Sequence, residues 1–255
     1  MSGAGEVLLD ANEPGAYELI RPTGTSPIVL VCDHASNRVP ARLHRLGLND
    51  EQLQSHIAWD PGAAALARKL SARLDATLVL SNYSRLVIDL NRTPGHVQSI
   101  PAISAGIEVP GNSDITELEA LRRRRSLFDP YQQAIASVLG RRDTDEIRLL
   151  SIHSFTPNLN GENRLWSIGV CYDQSVEWAR KMLTGLSTRL DTEEDPIGDN
   201  EPYEVTDESD YTLPVQGKKH GIASLMLELR QDKISDEVMV QRWCNIIAGC
   251  CEFSV

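Results

Sequence analysis

The chain has 255 residues, 41% hydrophobic and 24% charged, which is ordinary for a globular protein and ample for a large core. A formal net charge of −11 argues against nucleic acid or an anionic membrane as the main partner, but leaves room for a small anionic substrate held by a few arginines. No apolar run approaches the roughly 20 residues that cross a bilayer, and the acidic opening MSGAGEVLLDANEP does not read as a signal peptide.

Residues 1–26 read as a leading arm rich in Gly, Pro, Glu and Asn. Ile28–Cys32 is a continuous apolar run of strand length, the mark of a strand covered on both faces. It runs into Asp33, His34, Ser36 and Asn37, polar groups at the carboxyl edge where open α/β sheets place their ligands. Arg42–Gln54 is a polar connection with room for a short helix. In the stretch His56-Ile-Ala-Trp-Asp60-Pro-Gly-Ala, Asp60 has the place of an N-cap and Pro61 that of the first helical residue. Ala63, Leu66, Ala67, Leu70 and Leu74 continue as an apolar stripe that ends near Asp75. Thr77–Leu80 and Ser84–Leu90 are the second and third strands. In the latter Arg85, Val87 and Asp89 share one face, and Asn91-Arg92 follows its end. The Pro/Gly-punctuated stretch 93–113 is longer than a plain connector. Thr116-Glu-Leu-Glu119 fits a capping box. The helix it opens is kinked or restarted by Asp129-Pro130 and ends near Leu139, with Arg122–Arg125 as a solvated charged face.

Glu146–Ile152 is a fourth strand ending at His153-Ser-Phe-Thr-Pro157, and Leu165–Tyr172 is a fifth. Gln174–Leu190 carries an apolar helical stripe. The acidic, turn-rich segment Asp191–Pro214 is an extended loop or lid with Tyr203 and Tyr211 as its aromatic anchors. Ile222–Leu229 is a sixth strand, on which Ser224, Met226, Glu228 and Arg230 share a face. Ser235 caps a terminal helix. The five cysteines lack CxxC spacing and read as reduced packing residues of a cytoplasmic protein. Strands alternating with helices imply a three-layer α/β/α fold with a largely parallel or mixed sheet, residues 1–255 forming one domain without internal repeats.

Four strand ends carry reactive side chains: His34, Asn91-Arg92, His153 and Glu228. Convergence from separate strands is how an α/β enzyme builds a site. Two imidazoles and one carboxylate, with a fourth position open, form the ligand set of a catalytic zinc. A further carboxylate then suits a general base, and arginines suit an oxyanion or a substrate carboxylate. A serine nucleophile at Ser36 or Ser154 lacks a strained elbow, and there is no GxSxG, P-loop or GxGxxG motif. His220, in GKKHG, reads as a loop histidine.

The words VCDHASNRVP, WDPGAAALARKL, SRLVIDLNR, SIHSFTP and LMLELRQD, spread in this order over residues 29–232, resemble the N-formylglutamate amidohydrolase family. That family is similar in fold to the zinc carboxypeptidases, a phosphorylase/hydrolase-like architecture. The resemblance implies that His153 ligates zinc, that Glu228 is the general base, and that Asn91-Arg92 holds a substrate carboxylate. Zinc carboxypeptidases take two early ligands from an HxxE pair. Here His34-Ala-Ser-Asn37 puts an amide at the second position, and an amide is a poor zinc ligand. Asp60 is the carboxylate that can replace it. The expected assembly is therefore one zinc ion on His34, Asp60 and His153, with Glu228 and Arg85 catalytic. Ser36, Asn37, Asn91, Arg92 and Arg230 are the expected substrate contacts. The implied reaction is hydrolysis of an anionic N-acyl amino acid, formylglutamate giving formate and glutamate.

Overall fold

The computed structural model describes residues 7–141 and 147–252. Its centre is a seven-stranded mixed sheet. In chain order the strands are β1 (Tyr17–Ile20), β2 (Ile28–Cys32), β3 (Leu78–Ser81), β4 (Arg148–Phe155), β5 (Ile168–Cys171), β6 (Ile197–Asp199) and β7 (Ala223–Arg230). Across the sheet they lie in the order β1-β3-β2-β4-β7-β5-β6. β3, β2, β4 and β7 are parallel, while β1 and the pair β5–β6 run the other way. The helices are α1 (Asp50–Gln54), α2 (Ala63–Leu74), α3 (Glu117–Arg123), α4 (Asp129–Leu139), α5 (Val176–Ser187) and α6 (Glu237–Glu252).

Alternation along the buried strands sorts the two faces. Leu30, Leu150, Leu225 and Leu227 pack against Leu66 and Leu70 of α2, Met182 of α5 and Trp243 of α6. Val29, Val31, Val79 and Leu149 pack on the other side against Tyr131, Ile135 and Val138 of α4. The three-layer arrangement expected from the sequence is thus present, with a mixed sheet. His153 and Glu228 alternate with the α2-side residues, so both point to the α4 side.

Several elements differ from the sequence expectation. Ser84–Leu90 is not a strand. Val87 N donates to Ser84 O at 3.0 Å in a turn and Asp89 N to Ser99 O at 2.8 Å. Leu86 and Val87 are both fully buried, so the apparent alternation has no exposed face. The sheet edge beside β3 is taken instead by β1, which pairs antiparallel from Tyr17↔Ser81 to Ile20↔Leu78 and comes out of the supposed arm. Asp60 does not cap α2; the cap is Gly62, at φ +82° with Ile234 O only 2.6 Å from where a Cβ would stand, a place for glycine alone. Arg123 leaves the charged face. It is 1% exposed, donating to Val87 O and Asn112 Oδ1 at 3.0 and 2.7 Å. A π-helical turn, Arg124–Phe128, joins α3 to α4, which starts at Asp129-Pro130. The acidic segment contributes β6 to the sheet edge. Asp236 rather than Ser235 caps α6, its Oδ1 accepting from Met239 N at 2.8 Å. Glu146, the expected start of the fourth strand, and the first six residues of the arm lie outside the described residues. Among the described residues no helix is long and apolar enough to cross a membrane, and all five cysteines are buried.

Candidate functional site

His34 stands two residues past β2, and its carbonyl accepts from Asp60 N at 2.9 Å, which ties the loop before α2 to the end of the strand. His153 sits near the end of β4, directly across from Glu228 on β7. The parallel register of two adjacent strands therefore places imidazole and carboxylate side by side. All four side chains are buried.

His34, Asp60 and His153 converge, each offering one ligand atom within 4.8 Å of the others. Nδ1 of His153 lies 2.8 Å and Nδ1 of His34 3.3 Å from the same atom, Asp60 Oδ2. The far nitrogens are anchored by two other carboxylates: His34 Nε2 is 2.8 Å from Asp89 Oδ1, and His153 Nε2 is 3.1 Å from Asp33 Oδ2. A carboxylate only accepts, so each Nε2 carries a proton; a ring with that proton alone turns its Nδ1 lone pair to Asp60 Oδ2, and a doubly protonated ring donates there. The two Nδ1 atoms and the anionic oxygen are stable together only with positive charge between them, from ring protons or from a cation. This donor set fits a divalent cation: three ligands with an open fourth position, and imidazoles oriented from behind by carboxylates. The electrostatics agree. Burial disfavours the charged forms, but the histidines outweigh it and hold Asp60 far below the usual carboxylate range. Burial likewise opposes the His153 imidazolium, yet Asp33 and Asp60 raise its pKa well above the ordinary value.

Glu228 is the opposite case. Burial raises its pKa to about 7, and its buried Oε2 has no hydrogen-bond partner. It does not pair with Arg230, which turns away to Asp232 at 2.7 Å. A cavity of about 290 Å³ opens over this group, lined by His34, Asp60, Arg85, Arg92, His153 and Glu228 together with Asn91, Tyr203 and Asp210. Arg85 donates from Nε and Nη2 to Asp89 Oδ2 at 3.1 and 2.7 Å, and its Nη1 is 3.7 Å from Asp60 Oδ1. Tyr203 reaches the cavity because the chain crosses over β5 at Gly169, where a Cβ would meet Glu201 O at 1.8 Å.

Of the expected site residues, the cavity thus gathers His34, Asp60, Arg85, Asn91, Arg92, His153 and Glu228. Ser36, Asn37 and Arg230 do not line it. Ser36 Oγ accepts from Arg38 N, and Asn37 Nδ2 donates to Leu53 O at 2.9 Å. The Asn91 side chain lines the cavity but is already engaged: Nδ2 donates to Asp210 Oδ1 at 3.1 Å, and Oδ1 accepts from Tyr211 N and Thr212 N at 3.1 and 2.9 Å. Arg92 Nη1 also meets Asp210 Oδ1, at 2.9 Å. Sequence reasoning missed Asp33, Asp89 and Asp210 as parts of the site. For Asp33 and Asp89 the available signal was their place next to His34 and next to the Asn-Arg pair, whereas Asp210 lies 118 positions from Arg92.

The model of the N-formylglutamate amidohydrolase family matches residues 26–235. The chain belongs to that family. Membership makes it an amide hydrolase that acts on a small molecule, as the motifs in the sequence imply. Over its whole length it is similar to the crystal structure of the gene product Atu2144 from Agrobacterium tumefaciens, with 31% identity, a TM-score of 0.91 and 97% of each chain covered. An N-formylglutamate amidohydrolase from Ralstonia eutropha JMP134 shares the fold at 17% identity and a TM-score of 0.64, over 94% of this chain and 98% of that one. No curated protein matches the chain in sequence.

Proposed function

We propose that this family member hydrolyses the amide of an N-acyl amino acid, N-formylglutamate being the type substrate, and that it does so with one divalent cation, zinc by preference. The observation that carries this reading is the placing of His34, Asp60 and His153 opposite an unpartnered, buried Glu228 in one cavity. Held by those three residues, the cation would polarise the scissile carbonyl and acidify a water. Glu228 takes the proton from the attacking water on its free Oε2 and hands it to the leaving amine nitrogen. A pKa near 7 suits a group that must both accept and return a proton at neutral pH. Arg85, held flat by Asp89, faces the oxyanion that develops on the carbonyl oxygen. Arg92 steers the α-carboxylate. Asp33 and Asp89 fix the tautomer and angle of the two imidazoles. Residues of the first strands and of the last one build the same site, so we read the whole chain as a single catalytic domain.

The test is elemental analysis joined to a screen of N-acyl amino acids with and without added zinc. Wild type should bind one equivalent and hydrolyse an N-formyl amino acid, while His153→Ala and Asp60→Asn should lose metal. Wild-type stoichiometry in His153→Ala would place the metal elsewhere. Full metal-free activity would remove the cation from the mechanism.

A further inference from the structure

A substrate such as N-formylglutamate carries two carboxylates, and the guanidiniums lining the cavity are both partly neutralised. Arg85 is joined to Asp89, and Arg92 pairs with Asp210 at 2.9 Å. Arg164 stands behind Tyr203, which lines the cavity, and differs from both. Its Nη1 donates to Tyr203 Oη at 2.7 Å, and its guanidinium lies 4.8 Å from the Tyr203 ring centroid and 5.6 Å from that of Phe155. Among the described residues no carboxylate forms an ion pair with it. Aromatic faces and a phenol hydroxyl immobilise a guanidinium without cancelling its charge. An anion subsite needs that combination, because the ordering cost is met before the ligand arrives. The loop is fixed from the other side as well, since Arg230 Nη1 donates to Arg164 O at 3.2 Å and to Leu165 O at 2.9 Å.

The fields of Arg85 and Arg164 overlap at His56. His56, partly buried, is held below its ordinary pKa by burial and by both Arg85 and Arg164, so the two guanidiniums act on one space. Glu204, on the same wall, opposes them, but it is exposed and its charge is screened by water. Distance along the substrate decides which carboxylate goes where. The α-carboxylate hangs on the carbon that bears the scissile nitrogen and must stay inside, near Arg85 and Arg92. A side-chain carboxylate extends outward past Tyr203.

We infer that Arg164, clamped against Phe155 and the cavity-lining Tyr203, receives the side-chain carboxylate of the substrate and so selects N-acyl acidic amino acids over their neutral isosteres. This rests on the amide hydrolysis proposed above. The experiment compares N-formyl-L-glutamate with N-formyl-L-glutamine on zinc-loaded wild type and Arg164→Gln, and compares binding of L-glutamate and L-glutamine to the same proteins by calorimetry, without turnover. Wild type should favour the acidic member of each pair. Arg164→Gln should shrink that ratio by about tenfold or more, the order expected for one charge-assisted contact, with the loss in KM rather than kcat. Arg164→Lys, which keeps the charge but not the fork, should restore part of it. Thermal melting identifies a variant that has merely unfolded. If wild type hydrolyses neither compound, the reaction proposed above fails, and calorimetry still decides the subsite. No acidic preference in wild-type binding, or an unchanged ratio in folded Arg164→Gln, overturns the inference.

Discussion

β4 and β7 are paired through eight consecutive residues, from Arg148↔Ala223 to Phe155↔Arg230. The segment 84–92, on the opposite wall of the same cavity, belongs to no ladder. The first region delivers His153 and Glu228, whose separation and direction follow from register alone. The second delivers Arg85, Asp89 and Arg92 and must be held by buried side chains. Asn112 Nδ2 donates to Leu86 O at 2.8 Å, Gln132 Nε2 to Leu90 O at 2.8 Å, and Arg123 Nη1 to Val87 O at 3.0 Å. Asn91 and Asp210 pin its end to the strap that carries Tyr211 and Thr212. A ladder satisfies the backbone by itself, whereas this irregular buried segment recruits polar side chains for several of its carbonyls. Of the groups assigned above to the chemistry, His153 and Glu228 sit on strands, whereas His34, Asp60 and Arg85 do not. Groups that read the substrate sit on segments whose course is set by a few replaceable side chains.

The largest effect should come from the ladder side. Glu228→Gln keeps the shape and the neighbours of the side chain but removes the proton acceptor. Turnover on an active N-acyl amino acid should fall by roughly 10²–10⁴-fold, while metal content and melting temperature stay near wild type. Rates close to wild type would leave Glu228 as a structural residue and end the mechanism proposed here.

On the irregular side the matching change is Arg123→Ala. It strips donors from Val87 O, Asn112 Oδ1 and Gly111 O at a residue that is almost fully buried. Denaturant unfolding should show a loss of about 2–4 kcal/mol, against at most about 0.5 kcal/mol for Arg125→Ala on the exposed face of the same turn. Equal, small losses for both would mean that segment 84–92 holds its course without the brace.

The same contrast explains what could be read from the residues alone. Ile28–Cys32 and the end of β4 are apolar runs that stop at histidines, so His34 and His153 announce themselves, and Glu228 stands out in a strand of leucines. Asp33 was harder to read. It meets His153 only because β2 lies beside β4 with Ser151 facing it at 3.2 Å, and strand order is not written in a local window. Asp89 was legible as a partner of Arg85, but its second oxygen goes to His34, 55 residues away. Ser84–Leu90 copies the two-residue period of a strand by chance of composition, and propensity yields there to a sheet edge already filled by β1. Arg123 was hidden by the charges around it, although Leu127, one turn later on the same helical face and equally buried, marks that face as internal.

A smaller effect should separate the groups behind the imidazoles from the imidazoles themselves. Asp89→Asn leaves an oxygen to accept from His34 Nε2 but removes the charge that holds the ring and Arg85. Metal affinity, measured by competition with a chelator, should weaken by roughly 10–100-fold, and Asp33→Asn should do the same through His153, from the turn that follows β2. Because Asp33 is also fixed by Ser151 and Thr212, its variant should lose less melting temperature than Asp89→Asn, whose charge is answered by Arg85. Unchanged affinity in both would detach these carboxylates from the metal centre.

The smallest effect belongs to Asn37, the residue that stands where the carboxypeptidase pattern has its second early ligand. Only three positions separate it from His34, yet its Nδ2 turns to Leu53 O within α1, while Asp60, 26 positions along, reaches the histidine. Sequence spacing on an irregular stretch does not fix direction as it does on a strand, so Asn37 can fall in the motif and outside the site. Asn37→Ala should cost about 0.5–1.5 kcal/mol for one neutral, partly buried hydrogen bond, seen in denaturant melts. Metal stoichiometry, metal affinity and KM should match wild type, in contrast to Asp60→Asn. A tenfold loss of metal affinity in Asn37→Ala would return the amide to the ligand shell and make Asp60 an anchor rather than a ligand.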